Sequence, residues 1–313
     1  MKAKETSHAA PLILFVYNRL AHTKRLVESL KMNVGYEQHD LYIYSDGPKT
    51  GKATHDEAAK VEEVRQYVRT IDGFASVHIV ERPDNIGLAS NVIDGVTTIV
   101  NQYGTIIVLE DDLVLSPYFL LFMQDALDMY RDHEQVGHIQ ACDFTGNPNL
   151  SDTFFINWTG SWGWATWARA WKQYNVDGAF LLSELTRRKL TTQFDFDGHY
   201  GYTRMLRRQI QGKNDSWAIR WYASLFLSDM LALNVGHSLV QNKGFDGTGT
   251  HSGGGQLYAS SLYMQPLKVT EITPVVADEQ AHQAYCDYYK RNYGFWPRVR
   301  RRLRRTLQGD FGR

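Results

Sequence analysis

The residues best suited to chemistry are three consecutive acids, Glu110-Asp111-Asp112, directly behind the apolar run Thr105-Ile106-Ile107-Val108-Leu109. Crowded carboxylates repel and raise each other's pKa, so a triple negative charge at the end of a buried strand calls for a positive partner. A hard divalent cation, Mn²⁺ or Mg²⁺, is the usual one, because such ions prefer oxygen ligands. In an extended stretch Glu110 and Asp112 point to one side and Asp111 to the other, which predicts split roles. Taken alone, such a run is more often a solvated turn. The buried strand before it, and Asp46 after another strand in Ser45-Asp46-Gly47-Pro48, reverse that preference, although Asp-Gly-Pro is also plain turn chemistry.

The elements that must position these acids alternate along the first third of the chain. Strands are predicted at Leu12–Val16, Leu41–Tyr44, Val77–Val80 and Ile106–Leu109. Helices are predicted over 21–32, 56–70 and 88–101. This alternation predicts an α/β fold, a Rossmann-like, mostly parallel sheet with helices on both faces. Ligands of such sheets bind beyond the carboxyl ends of the strands, where Asp46, Arg82 to Asn85 and Glu110 to Asp112 all fall. Beyond Asp112 a helix is expected over 117–130, strands over 137–141 and 154–158, and helices over 164–174, 200–211 and 217–231. Gly-rich loops follow at 244–249 and 253–255. A break near Leu113 to Pro117 divides the chain into a ligand-binding half (10–115) and a second half (116–255), fused rather than independent. An extension (256–313) completes it.

The chain has 313 residues, 43% of them hydrophobic, which is ample for a large core. It is neutral overall, with 34 basic and 34 acidic residues, but eight cations and no acid lie between Lys290 and Arg305, leaving the body acidic. In that tail Trp296, Val299, Leu303 and Leu307 share one helical face. A basic amphipathic helix of this kind suits an anionic membrane surface, with nucleic acid or an acidic partner as the alternative. No nucleic-acid site is expected at the centre of the chain. The two cysteines, Cys142 and Cys286, make no disulfide framework, so a cytoplasmic setting is expected, peripheral at the inner face of the cell membrane. The apolar segment Pro11 to Tyr17 reads as a strand rather than a leader, and no segment approaches the ~20 apolar residues of a membrane span.

Six motifs occur in order: Pro11-Leu-Ile-Leu-Phe-Val-Tyr-Asn-Arg19, Tyr44-Ser-Asp-Gly-Pro48, Arg82-Pro-Asp-Asn-Ile-Gly87, Val108-Leu-Glu-Asp-Asp-Leu113, Gly160-Ser-Trp-Gly-Trp-Ala-Thr-Trp167 and Gly249-Thr-His251. Together they resemble glycosyltransferases of the GT-A fold. The likeness is to the bacterial group related to the N-acetylglucosaminyltransferase of the early N-glycan pathway, and to inverting polysaccharide glycosyltransferases. The resemblance implies that Asp112 binds a Mn²⁺ or Mg²⁺ ion directly and that Glu110 and Asp111 hold the ribose or a metal-bound water. It implies that Asp46 reads the base or ribose of a nucleotide-sugar donor, with Tyr17, Arg19 and Arg82 beside it. His251 would approach the metal or diphosphate. Inverting transfer also needs a general base for the acceptor hydroxyl. Asp215 is the first candidate, and Asp143 and Asp246 are the alternatives. Aromatic faces stack on sugars, so Trp162 and Trp164 are candidates for a glycan or lipid-linked acceptor, although large aromatics are more often core.

The function expected is metal-dependent inverting glycosyl transfer in bacterial surface polysaccharide biosynthesis. A nucleotidyltransferase would share the sheet and the acids but would carry a Gly-rich phosphate loop with a Lys after the first strand, which is not found after Phe15. A non-catalytic glycan- or membrane-binding module on the same scaffold is the third class.

Overall fold

A computed structural model describes residues 9–49, 55–244 and 261–294. Its centre is an eight-stranded mixed sheet. In chain order the elements of the first half are β1 (Leu12–Val16), α1 (Leu20–Lys31), β2 (Asp40–Ser45), α2 (His55–Val68), β3 (Ser76–Glu81), α3 (Leu88–Tyr103) and β4 (Thr105–Glu110). A short strand β5 (Leu113–Leu115) and α4 (Phe119–Met129) lead into β6 (Val136–Gln140), β7 (Thr153–Ile156) and β8 (Trp164–Trp167). The helices α5 (Ala168–Trp171), α6 (Gly178–Arg187), α7 (Thr191–Phe194), α8 (Tyr202–Ile210) and α9 (Trp217–Leu227) follow. The strands β9 (Leu231–Val235) and β10 (Val240–Asn242) and the helix α10 (Glu279–Tyr293) complete the described chain.

The strand order is β3-β2-β1-β4-β8-β6-β9-β7, and β10 pairs with β5 in a separate two-stranded ribbon. The neighbours β3, β2, β1 and β4 are parallel; β8 runs antiparallel between β4 and β6, β9 is parallel to β6, and β7 is antiparallel to β9. Six of the eight strands therefore point the same way, and the sheet runs unbroken from the first half into the second.

Alternation along the strands divides the core. Leu12, Leu14, Val16, Ile107 and Leu109 face one side, against α1 and α4. Ile13, Phe15, Ile106, Val108 and Trp164 face the other, against α3 and α9. Period-two alternation of apolar residues on both faces is what a strand covered on both sides requires. A third, aromatic-rich cluster joins α6, α7, α8 and α9 to the inner face of α10 through Tyr285, Tyr288 and Tyr289.

Two expected elements are corrected. The stretch 164–174 is not one helix: Trp164–Trp167 is a strand slotted between β4 and β6, and only Ala168–Trp171 is helical. The helix expected over 217–231 ends at Leu227, and Leu231–Val235 is a strand.

Candidate functional site

The parallel strands deliver their carboxyl ends to one edge. Because β8 runs the opposite way, its entry loop with Trp162 lies at that edge too, as do Asp143 beyond β6 and the acids beyond β4. The acids do not continue the strand: β4 ends at Glu110, and Asp111 and Asp112 form a turn. The expected two-sided alternation is thereby corrected, and the turn lets one guanidinium reach both aspartates. Arg19, one turn beyond β1, places Nη2 2.5 Å from Asp111 Oδ1 and 3.2 Å from Asp112 Oδ2. The Tyr17 main chain also hydrogen-bonds to Asp111. Arg19 Nη1 is buried and has no hydrogen-bond partner among the described residues.

Electrostatics at this turn are dominated by crowding. Burial, then Asp112 and Asp111, push the Glu110 carboxyl up to about 8, against a smaller opposing pull from Arg19. Burial raises Asp111 to about 6 despite Arg19 beside it. Three carboxyl groups against one guanidinium leave an excess of negative charge, and all the donor atoms are hard oxygens, so the residues fit a hard divalent cation. Among the described residues the three acids do not bring three oxygens within 4.8 Å of one another.

The ribbon completes the rim. The Lys243 N–H donates to the Asp112 carbonyl at 2.7 Å, and Asn242 Nδ2 lies 3.5 Å from Asp112 Oδ1. Gly244 packs so closely that a Cβ there would sit 2.3 Å from Asp112 Oδ2. Asn242 and Gly244 therefore adjoin Asp112, a placement the sequence motifs do not include. The Gly-rich loop that starts at Gly244 was the only signal, and nothing marked Asn242.

Asp46 is buried beyond β2, and its carboxylate accepts from three main-chain donors. Oδ1 takes Gly47 N–H and Ile86 N–H, both at 2.9 Å, and Oδ2 takes Gly87 N–H at 3.1 Å. It therefore clamps the loop between β3 and α3 over the strand ends, with Asn85 Nδ2 donating to the Gly47 carbonyl at 2.9 Å. Only glycine fits at 47, since a Cβ would lie 2.4 Å from the Asp84 main chain. Tyr17 donates its hydroxyl to Glu57 on α2 at 2.5 Å.

Asp215 is exposed just before α9, whose cap is the neighbouring Ser216, with its Oδ2 3.3 Å from where a Cβ on Gly87 would be. It thus flanks the loop that Asp46 holds.

Other expected residues lie elsewhere. Arg82 turns to α3, donating to Asn91 Oδ1 at 3.2 Å and to Asp94, with its guanidinium over the Tyr44 ring, so it is not part of the acid cluster. Trp164 is wholly buried, its ring stacked on His138 and Trp217, which leaves no face for a sugar and corrects its expected acceptor role. Trp162 keeps part of its surface open. Asp143 spends both oxygens on Thr145 and Gly146 in a tight turn. His251, Asp246 and the basic tail beyond Gly294 lie outside the described residues.

A buried polar relay supports Trp162 from behind. Trp221 Nε1 donates to His138 Nδ1 at 3.1 Å, which leaves the proton on Nε2, 3.3 Å from Gln140 Oε1. Gln140 Nε2 in turn donates to the Trp162 carbonyl at 3.1 Å. Burial holds His138 down to about 3, so it is neutral at physiological pH.

No family model and no curated protein sequence matches the chain. Among the solved structures that resemble it, all three described below do so at low similarity. The mannosyltransferase PcManGT from Pyrobaculum calidifontis, in complex with GDP-Man and Mn²⁺, has TM-score 0.35 and 10% identity, over 69% of this chain and 73% of that one. Mouse xyloside xylosyltransferase 1 in its apo form has TM-score 0.39 and 9% identity, over 71% and 83%. TarS of S. aureus has TM-score 0.29 and 13% identity, over 45% of this chain and only 23% of its own.

Proposed function

We propose that the chain is a metal-dependent glycosyltransferase that moves a sugar from a nucleotide-sugar, UDP-linked in the first instance, to a hydroxyl of a glycan or lipid-linked acceptor with inversion. The observation that carries this reading is Glu110 at the end of β4 with the Asp111-Asp112 turn after it, at the carboxyl edge of the sheet, beside Arg19 Nη1, which has no hydrogen-bond partner among the described residues. Open α/β sheets bind ligands at this edge. Asp112 with Glu110 or Asp111 would hold Mn²⁺ or Mg²⁺, which when bound offsets the negative charge that builds on a departing diphosphate.

The chain's own groups do the rest. Arg19 orients Asp111 and Asp112 and offers its second nitrogen to a phosphate oxygen. Asp46 keeps the 84–87 loop against the strand ends, which shapes the wall on which a base or ribose would lie. Asp215, solvent-facing beside Gly87, is the base that would take the proton from an acceptor hydroxyl, a step contributing typically 10²–10⁴-fold. Trp162 offers a partly open aromatic face for the acceptor sugar. Cytoplasmic action on a surface polysaccharide at an anionic membrane, through the basic tail, belongs to the same proposal. None of the described helices is long and apolar enough to cross a membrane.

The test is donor hydrolysis across a panel of nucleotide sugars with Mn²⁺. Wild type should release nucleoside diphosphate from one donor, and Asp112→Asn should release none while unfolding at a similar temperature. Full turnover by Asp112→Asn would rule the metal assignment out.

A further inference from the structure

Far from the acid turn in sequence, α10 meets the turn between α7 and α8. His282 and Cys286 lie one helical turn apart, so both project from the same face of α10. Opposite them stands Asp197, in a main-chain run that is left-handed at three successive residues: φ is 50° at Phe196, 54° at Asp197 and 81° at Gly198. The three donor atoms form a closed triangle. His282 Nε2 is 3.0 Å from Asp197 Oδ2, Cys286 Sγ is 3.6 Å from the same oxygen, and Sγ and Nε2 are 3.5 Å apart. Phe196 stacks on the His282 ring with planes 11° apart, which fixes the imidazole's orientation.

These separations match a specific coordination figure. With a metal–sulfur bond of about 2.3 Å and metal–nitrogen and metal–oxygen bonds of about 2.0–2.2 Å, a tetrahedral site has edges of roughly 3.4–3.6 Å. Both edges to sulfur fall in that range, and the nitrogen–oxygen edge is slightly short. A hydrogen-bonded triad would also bring these atoms together, with Cys286 Sγ additionally 3.6 Å from the Phe196 carbonyl; what points to a metal is that a thiol, an imidazole and a carboxylate place one donor atom each within 4.8 Å of one another. The ligand types select the metal. Sulfur and imidazole suit zinc and similar borderline ions, not the hard Mg²⁺ or Mn²⁺ suited to the acid turn. Cys286 is buried, His282 half-buried and Asp197 exposed, so solvent reaches the cluster from the Asp197 side and water would complete the coordination.

We infer that Asp197, His282 and Cys286 form a structural site for a zinc-like divalent ion that fastens the C-terminal helix to the α7–α8 turn. On binding, the thiol proton leaves to solvent and the sulfur ligates as thiolate. This site is independent of the proposed sugar transfer.

The full 313-residue chain, stripped with a chelator and titrated with Co²⁺, provides the test. With only two cysteines in the chain, a thiolate-to-cobalt charge-transfer band is assignable. Wild type, Cys142→Ser and Asp112→Asn should all give it at one ion per chain, with Zn²⁺ displacing Co²⁺, and Cys286→Ser should not. His282→Gln, at a half-exposed position that tolerates substitution, should weaken Co²⁺ binding by about 100-fold or more, beyond the loss of an orienting neighbour. Absence of the band in wild type, its survival in Cys286→Ser, its loss in Asp112→Asn, or unchanged affinity in His282→Gln would overturn the inference.

Discussion

Arg19 shows how one side chain decides what its neighbours do. Its guanidinium reaches both Asp111 and Asp112, so removing it leaves crowded carboxyl groups without a hydrogen-bonded counter-charge. Breaking a buried pair from one side costs about 3–5 kcal/mol; with Arg19 part-exposed, Arg19→Met should cost less, about 1–3 kcal/mol in a denaturant titration. A fall below a few tenths of a kilocalorie would mean that the pair is decorative. His138 carries a pH prediction. Its native pKa, about 3, is depressed below the unfolded value, so the unfolded state binds the extra proton first as pH falls. Its contribution is fully present above pH ~6.5 and is lost progressively down to pH ~3. Between pH 6.5 and 4 wild type should therefore lose about 3 kcal/mol more stability than His138→Gln, as measured by urea unfolding at each pH. Parallel pH profiles for the two proteins would remove the buried neutral imidazole from the account.

Asp111 and Asp112 were legible as charge but not as geometry. Their number and place behind an apolar strand were readable, whereas the turn that brings both to Arg19 depends on where β4 stops pairing. The same limit governs β8. Trp164, Trp167 and Trp171 recur at intervals of three and four, a helical period, yet the slot between β4 and β6 draws the first two into a strand with both faces buried. Tertiary pairing overrides local period when a short segment has two partners waiting. The strand β9 was hidden because no Gly or Pro marks the end of α9. Asp229 makes the break by adopting φ 54° itself. The four parallel strands were readable because each carries a short β-branched or apolar run that borders a helical pattern.

Two element-level outcomes follow. Gly47→Ala places a methyl against the main chain of Asp84, which cannot retreat as a flexible side chain would, so the 84–87 loop must shift. The expected cost is about 1–3 kcal/mol with weaker donor binding, read by urea titration and KM. Asp278 caps α10 by accepting from Ala281 N–H at 2.8 Å. Asp278→Ala should lower stability by about 1 kcal/mol and leave donor turnover untouched. A change in turnover there would mean that α10 reaches the proposed donor site.

The molecule as a whole joins an acidic sheet edge to a basic C-terminal stretch. Lys290 and Arg291 sit on the exposed face of α10, whose Tyr293 still packs on Tyr200 and Tyr289, so a truncation that spares the core must fall after Gly294. The protein ending there should lose binding to anionic vesicles in a sedimentation assay, since each basic residue near such a surface is worth ~1 kcal/mol. Equal sedimentation of both lengths would remove the basic stretch from any membrane role.

The continuity of the sheet is what brings the acids, Asp46 and Trp162 to one rim despite a separation of more than a hundred residues along the chain, and Asp215 comes beside Gly87 from the start of α9. The most direct measurement on that rim is calorimetric titration of UDP into wild type and Asp112→Asn, each with Mn²⁺ and with chelator. Saturable binding by wild type only when Mn²⁺ is present, and none by Asp112→Asn, is the result expected. Equal binding in chelator, or undiminished binding by Asp112→Asn with Mn²⁺, would contradict it.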